Sequence, residues 1–188
     1  MFVTKEYDRA HAVEYARKYA FSQNPLFGDF REIGGNCTNF VSQCVYAGSC
    51  RMNFTPIVGW YYLDLSQRTA SWTGVDYFFD FVVGNRGVGP FGRETGQGAC
   101  EIGDVIQLSR AGVGYYHSLL IVGFDAEMPL VAAQTEDSLD RRLDSYTYDV
   151  ARFLHIDGVR LSIETVGDCY DALVGGVALF PDGQSPKE

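Results

Sequence analysis

The sequence predicts an α+β domain, because helical periodicity fills its first half and short strands its second. Residues 8 to 20 carry apolar side chains at helical spacing. After Asp104 the pattern changes to brief apolar runs separated by Gly, Asp and Pro turns. The chain has 188 residues, 46% of them hydrophobic and 21% charged, which suits one globular domain over 1–188.

The elements follow in order. In the first helix Ala12, Val13, Ala16, Tyr19 and Ala20 form the apolar stripe. Asp8 caps it, and Asn24-Pro25 ends the region. A Gly- and Asp-rich loop runs to Gly34-Gly35-Asn36. The next helix starts at Cys37, with Asn36 as its N-cap, and stops at a left-handed Gly48. Residues 59 to 83 are rich in aromatics, and Ser71 and Thr73 can cap a short helix ending near Val83. Seven glycines between Gly84 and Gly103 predict an irregular loop. Strands are expected over Asp104–Leu108, Tyr116–Phe124 and Leu130–Thr135, with turns at 111–114 and 125–129. Phe153–Ile156 makes a fourth strand and Val177–Phe180 a fifth. Tight turns between short strands imply an antiparallel sheet, packed against the preceding helices.

Charge and cysteine usage exclude several function classes. A net charge of −9 and no basic run argue against nucleic-acid binding. The longest basic cluster, Arg141-Arg142, lies between Asp140 and Asp144. No Gly-Lys-Ser/Thr phosphate loop, calcium loop or zinc-ligand spacing occurs, so neither a metal nor an organic cofactor is expected. No apolar run is long enough to span a membrane. The opening residues lack a signal-peptide pattern, which points to the cytoplasm, or to the cell envelope if a leader has been removed. Five cysteines cannot all pair internally, and their scatter fits reduced thiols packed in a core.

Two residues carry the chemistry. Cys37 opens a helix, where unpaired N–H groups and the dipole favour a thiolate and can hold an oxyanion. By position alone Cys37 reads more readily as a buried thiol like Cys44. His117 changes that balance: it opens a strand just after a Gly turn, where a base can meet a nucleophile on a facing helix. His11 lies among charged residues of the first helix, and His155 inside an apolar strand reads as a satisfied structural histidine. If the strand at 130–135 pairs with that at 116–124, residues 133–135 oppose His117. Gln134 is then the natural group to orient the imidazole, with Glu136 and Asp137 as rivals.

The run Gly35-Asn36-Cys37-Thr38-Asn39-Phe40-Val41-Ser42-Gln43-Cys44 resembles the nucleophile segment of the bacterial putative amidase domain family, usually Asp-Cys-Thr-Asn-Phe-Val-Ser-Gln. Tyr7-Asp8-Arg9-Ala10, Asn24-Pro25, Trp60-Tyr61-Tyr62, Ser71-Trp72, Gly103-Asp104-Val105-Ile106 and Tyr116-His117-Ser118 are similar in the same order. The resemblance covers about residues 5 to 157 and leaves 158–188 as an unplaced extension. It implies a permuted papain-like, NlpC-like fold in which a helix carries the Cys and the following antiparallel sheet the His and a polar third residue. Asn36 stands where the family has Asp, and Gln134-Thr135 where it tends to have His-Thr.

The expected activity is cysteine-dependent hydrolysis of an amide or peptide bond through a thioester. Cell-wall peptides are the leading substrate by analogy with related domains. Asn36, Tyr116 and Trp72 are the candidate substrate-binding residues, although core packing explains the 60–81 aromatics more economically. Two alternatives stand beside this reading. The same pair could pass the acyl group to an amine, as an acyltransferase or transglutaminase-like enzyme does, or the fold could serve as a non-catalytic binding module.

Overall fold

The computed structural model describes residues 2–162 and 168–180. A short exposed strand, β1 (Phe2–Lys5), precedes α1 (Arg9–Tyr19), whose cap is Asp8 accepting the His11 N–H at 2.9 Å. α1 buries Ala12, Val13, Tyr15, Ala16 and Tyr19 against α2 (Cys37–Ser49). Every residue of α2 is buried, so this helix is the centre of the molecule rather than a surface element.

The helix does not stop at Gly48. It runs through Ser49 and ends on Cys50, which takes the left-handed conformation at φ 49°. Gly48 has a different task. A Cβ there would lie 2.4 Å from Tyr7 Cε2 and 2.6 Å from Asp8 O, and Gly48 O accepts the Asp8 N–H at 2.9 Å. The glycine lets the chain entering α1 cross α2 in direct contact.

The aromatic segment packs beneath α2. α3 (Ala70–Thr73) and α4 (Val75–Gly84) replace the one helix expected, because Gly74 breaks the run in an extended conformation. Trp60 and Trp72 are fully buried with ring centroids 4.7 Å apart. Their indole N–H groups donate to Ser42 Oγ at 3.0 Å and Asn39 Oδ1 at 2.9 Å, so both polar handles are satisfied on α2.

The remaining strands are β2 (Gly89–Thr95), β3 (Val105–Arg110), β4 (Gly114–Asp125), β5 (Met128–Ala133), β6 (Ser138–Arg142) and β7 (Val150–Ser162). Together with β1 they form an antiparallel sheet in the order β1-β7-β3-β4-β5-β6, with β2 also on β7. The long β7 is its hub: β3 pairs with residues 150–154, β2 with 153–160 and β1 with 159–162. β2 lies in the segment expected to be irregular, where glycines hide the alternation of side chains. β6 and the second half of β7 carry charged residues such as Asp140, Arg142 and Asp157 at exposed positions and lack the apolar runs that mark a strand.

Both faces of the sheet are covered. On one, Val105, Leu120, Val122, Ala132, Leu154 and Ile156 pack with α1 and α2. On the other, Ile106, Leu108, Leu119, Ile121, Val131 and Ala133 form a second core with Leu143, Tyr146 and Phe153. The expected strand at 177–180 is not formed. That segment follows a one-turn helix, α5 (Tyr170–Val174), and the Gly175-Gly176 stop leaves Val177 exposed.

Two of the five cysteines are joined: Cys50 and Cys169 form a disulfide across a separation of 119 residues. No local spacing could announce a pair so distant, and the expectation of unpaired thiols is corrected to three, Cys37, Cys44 and Cys100. The bond ties the C-terminal segment to the end of α2. Asn24 Nδ2 donates to Leu173 O at 2.8 Å and Tyr19 OH to Val174 O at 2.8 Å, which seats that segment on the helices.

Replacing Gly48 by alanine should destabilise the protein by up to about 2 kcal/mol. The overpacking cost of about 1–3 kcal/mol exceeds the roughly 1 kcal/mol gained in helix propensity. Urea unfolding measures this, and an unchanged or raised midpoint would contradict the close crossing of Tyr7-Asp8 over α2.

Candidate active site

β5 pairs with β4 only from Leu120 outward, whereas β3 follows β4 down to Gly114. The first half of β4 therefore has one neighbour instead of two, and a notch opens at that edge. His117 lies in this half, opposite Leu108 of β3. Alternation along β4 turns His117 to the face of the second core, with Leu119 and Ile121, and Ser118 to the helices.

Cys37 reaches the notch from the helix layer. It is the first residue of α2, and its neighbour Thr38 is fastened to His117's neighbour by a 2.9 Å contact between Thr38 Oγ1 and Ser118 Oγ. Gly34 and Gly35, with φ of 126° and 100°, turn the chain sharply into the helix, angles that glycine adopts without penalty. A cavity of about 360 Å³ results, lined from the helix side by Gly34, Gly35 and Cys37, from the sheet by Tyr116 and His117, and from the far side by Ser145, Tyr146 and Thr147.

His117 is buried, and its Nε2 has no hydrogen-bond partner among the described residues. Burial is the main influence on its titration. It outweighs the nearby Glu136 carboxylate, which favours the proton, while Arg141 opposes it, and the imidazole is brought down to about 4. At neutral pH it is thus an uncharged imidazole lining the cavity that Cys37 also lines. The rings of Tyr146 and Tyr116 flank it at centroid distances of 6.0 and 6.1 Å.

The other expected site residues are placed differently. Gln134 does not share the cavity. Its Oε1 accepts from Asn36 Nδ2 at 2.5 Å and Gln23 Nε2 at 3.2 Å, and its Nε2 donates to Tyr19 O at 2.6 Å and Ser22 O at 3.0 Å. The reason is the two-residue period of a strand: continued past Ala133, the register puts Gln134 on Ser118's face and Thr135 on His117's. Thr135 does line the cavity. It holds φ at 94°, an uncommon angle for a β-branched residue, and its Oγ1 accepts the Asn36 N–H at 2.6 Å.

Asn36 precedes the helix but makes no side-chain cap. Its Oδ1 accepts from Phe30 N at 3.0 Å and Asn39 Nδ2 at 2.9 Å, so the carboxamide holds the loop and not the helix N–H groups. Asp137 is taken by Arg31 at 3.0 Å. Trp72 is a core residue away from the cavity, whereas Tyr116 lines it. His155 is satisfied by Asp104 Oδ2 at 2.8 Å, and His11 stacks on Tyr170. Arg110, Arg141 and the Ser145–Thr147 turn also line the cavity. Arg110 closes β3, Arg141 lies in β6 and the turn follows β6, three separate parts of the chain that only the fold brings together.

Among the described residues no group of three His, Cys, Asp or Glu side chains could hold a metal ion, and no helix is long and apolar enough to cross a membrane. The sequence pattern of the putative amidase domain matches residues 6–156. The chain is similar to a Bacillus subtilis (strain 168) protein called uncharacterized protein YhbB, with 36% identity over 152 residues. That alignment covers 77% of this chain and 45% of the relative, so the chain spans under half of the relative's length. No solved structure matches it.

The buried imidazole makes stability depend on pH. The unfolded chain takes a proton on His117 near 6.5, the folded chain only near 4. Stability from this residue is therefore complete above pH 6.5, falls as pH drops toward 4, and is constant below. The gap is worth about 3 kcal/mol. Urea unfolding at about pH 7 and about pH 4 should show the wild type losing about 3 kcal/mol more than His117→Gln. Equal losses in the two proteins would contradict the buried neutral imidazole.

Proposed function

Because the chain belongs to the putative amidase domain family, which points to an enzyme of amide hydrolysis, we propose that it is a cysteine-dependent amide hydrolase with Cys37 as nucleophile and His117 as general base. One observation carries this reading: a buried imidazole nitrogen without a partner, in the cavity lined by a thiol at the head of a helix. Buried polar atoms are nearly always paired, and exceptions cluster where a reacting group must be left free.

The residues then act as follows. Neutral His117 accepts the Cys37 proton, and the sulfur attacks the amide carbonyl. The Cys37 N–H, at a helix start where no preceding turn supplies an acceptor, donates to the oxyanion. The imidazolium gives its proton to the departing amine, leaving a thioester on Cys37. Water, deprotonated by His117, attacks the thioester, and the products are a carboxylic acid and the restored thiol.

A Cys-bearing helix followed by a His-bearing antiparallel sheet is the order of a permuted papain-like, NlpC-like domain, and we assign the chain to that superfamily. Gln134 acts on the nucleophile's side, holding Asn36 and with it the start of α2. Glu136, the carboxylate lining the cavity, supplies the charge that favours a proton on His117. The substrate is a peptide or another amide, and cell-wall peptides are the first class to assay.

Against pooled short peptides, including cell-wall peptides, Cys37→Ser should abolish hydrolysis. His117→Gln should lower the rate about 10²–10⁴-fold, the range of a positioned general base. Mass spectrometry reads the products. Hydrolysis surviving in Cys37→Ser would rule out Cys37 as nucleophile.

A further inference from the structure

Three charged side chains line the cavity beside Cys37 and His117: Arg110, Arg141 and Glu136. With the imidazole neutral, the cavity carries one net positive charge in a chain whose formal charge is −9. Both guanidinium groups are held in place. Arg110 donates from Nε and Nη2 to Thr147 O at 3.0 and 2.9 Å, and lies 4.9 Å over the Tyr116 ring. Arg141 donates to Ser145 Oγ at 3.0 Å and Ser145 O at 3.2 Å, and lies 3.7 Å over Tyr146.

The two differ in what balances them. Arg141 faces Glu136 at 3.6 Å. Arg110 makes no ion pair among the described residues, and its two bonds leave Nη1 without an acceptor there. A guanidinium fixed by a backbone carbonyl and a ring, with its outer N–H groups open to a cavity, is preorganised for a carboxylate.

We propose that substrates of this site carry a free carboxylate near the scissile amide, an acidic peptide or a peptide with its α-carboxyl free, bound by Arg110 with Arg141 beside it. The inference rests on the reading of Cys37 as nucleophile and adds the selectivity of the same cavity.

Iodoacetate and iodoacetamide test it without a known substrate, since both alkylate a thiol by displacing iodide and differ in the carboxylate. The rate of each at Cys37 is followed by peptide mapping. Arg110→Gln should lower the iodoacetate-to-iodoacetamide rate ratio about three- to fivefold, the size expected of one partly exposed charge pair. Arg110→Lys should retain most of the ratio, since it keeps the charge. Arg142→Gln, which removes the same charge from a residue paired with Asp125 and Asp144 outside the cavity, should leave it unchanged. A ratio unmoved by Arg110→Gln, or moved as far by Arg142→Gln, overturns the carboxylate site while leaving the nucleophile intact. Failure of both reagents to label Cys37 removes the nucleophile and the proposal together.

Discussion

Thr38 and Ser118 meet through their hydroxyls, 2.9 Å apart and fully buried, and the rest of the site is hung from that joint. It does not stand alone. Gln107 Nε2 donates to Ser118 Oγ at 3.1 Å and to Val75 O at 2.8 Å, and Arg152 Nε donates to Gln107 Oε1 at 2.7 Å. A polar chain thus passes from α2 through β4 and β3 to β7 and the start of α4. In a low-dielectric interior such a chain is stable only when each member is satisfied, so it fixes the register of the strands it crosses. A slip of one residue in β4 would turn Ser118 away from the helices and His117 into them. The face on which His117 lies is set by the same bond that sets the place of Cys37.

The site is also where the fold gives up stability. Leaving His117 Nε2 unpaired costs about 1–3 kcal/mol, and holding Thr135 at a positive φ costs a similar amount, about 1–3 kcal/mol. Both concessions lie beside the helix start. They are offset elsewhere, by an α2 buried along its whole length, by the Trp60–Trp72 stack and by the disulfide to Cys169. Residues 168–180 of the C-terminal extension dock on α1 and α2 and do not line the cavity, so they support the central helix without covering the site.

The two elements that frame the site were legible in the sequence because each has a strong local signal. The Gly-Gly-Asn approach marks the start of α2, and the run from His117 to Phe124 marks β4. Gln134 shows the limit of such reading. The residue window 133–135 was legible from turn length, but which member faces His117 depends on parity, and parity depends on where β5 ends. Trp72 and Asn36 illustrate another limit, since an aromatic or an amide looks the same in sequence whether it faces a ligand or a core. Arg110, at the end of β3, and the Ser145–Thr147 turn become neighbours only through the β3–β7 pairing, which sets Ser109 opposite Val150. The disulfide, spanning 119 residues, is non-local in the same sense.

The central claim is that the β4 notch brings the imidazole of His117 to bear on the thiol of Cys37. The rate at which iodoacetamide alkylates Cys37 near neutral pH, in wild type and in His117→Ala, tests it most directly. Removal of a working base should slow labelling at Cys37 by about a hundredfold or more, the low end of what a positioned base contributes, while Cys100 reacts at its own unchanged rate. Equal rates at Cys37 in the two proteins would mean that thiol and imidazole share a cavity without acting on one another, and the hydrolase reading would not stand.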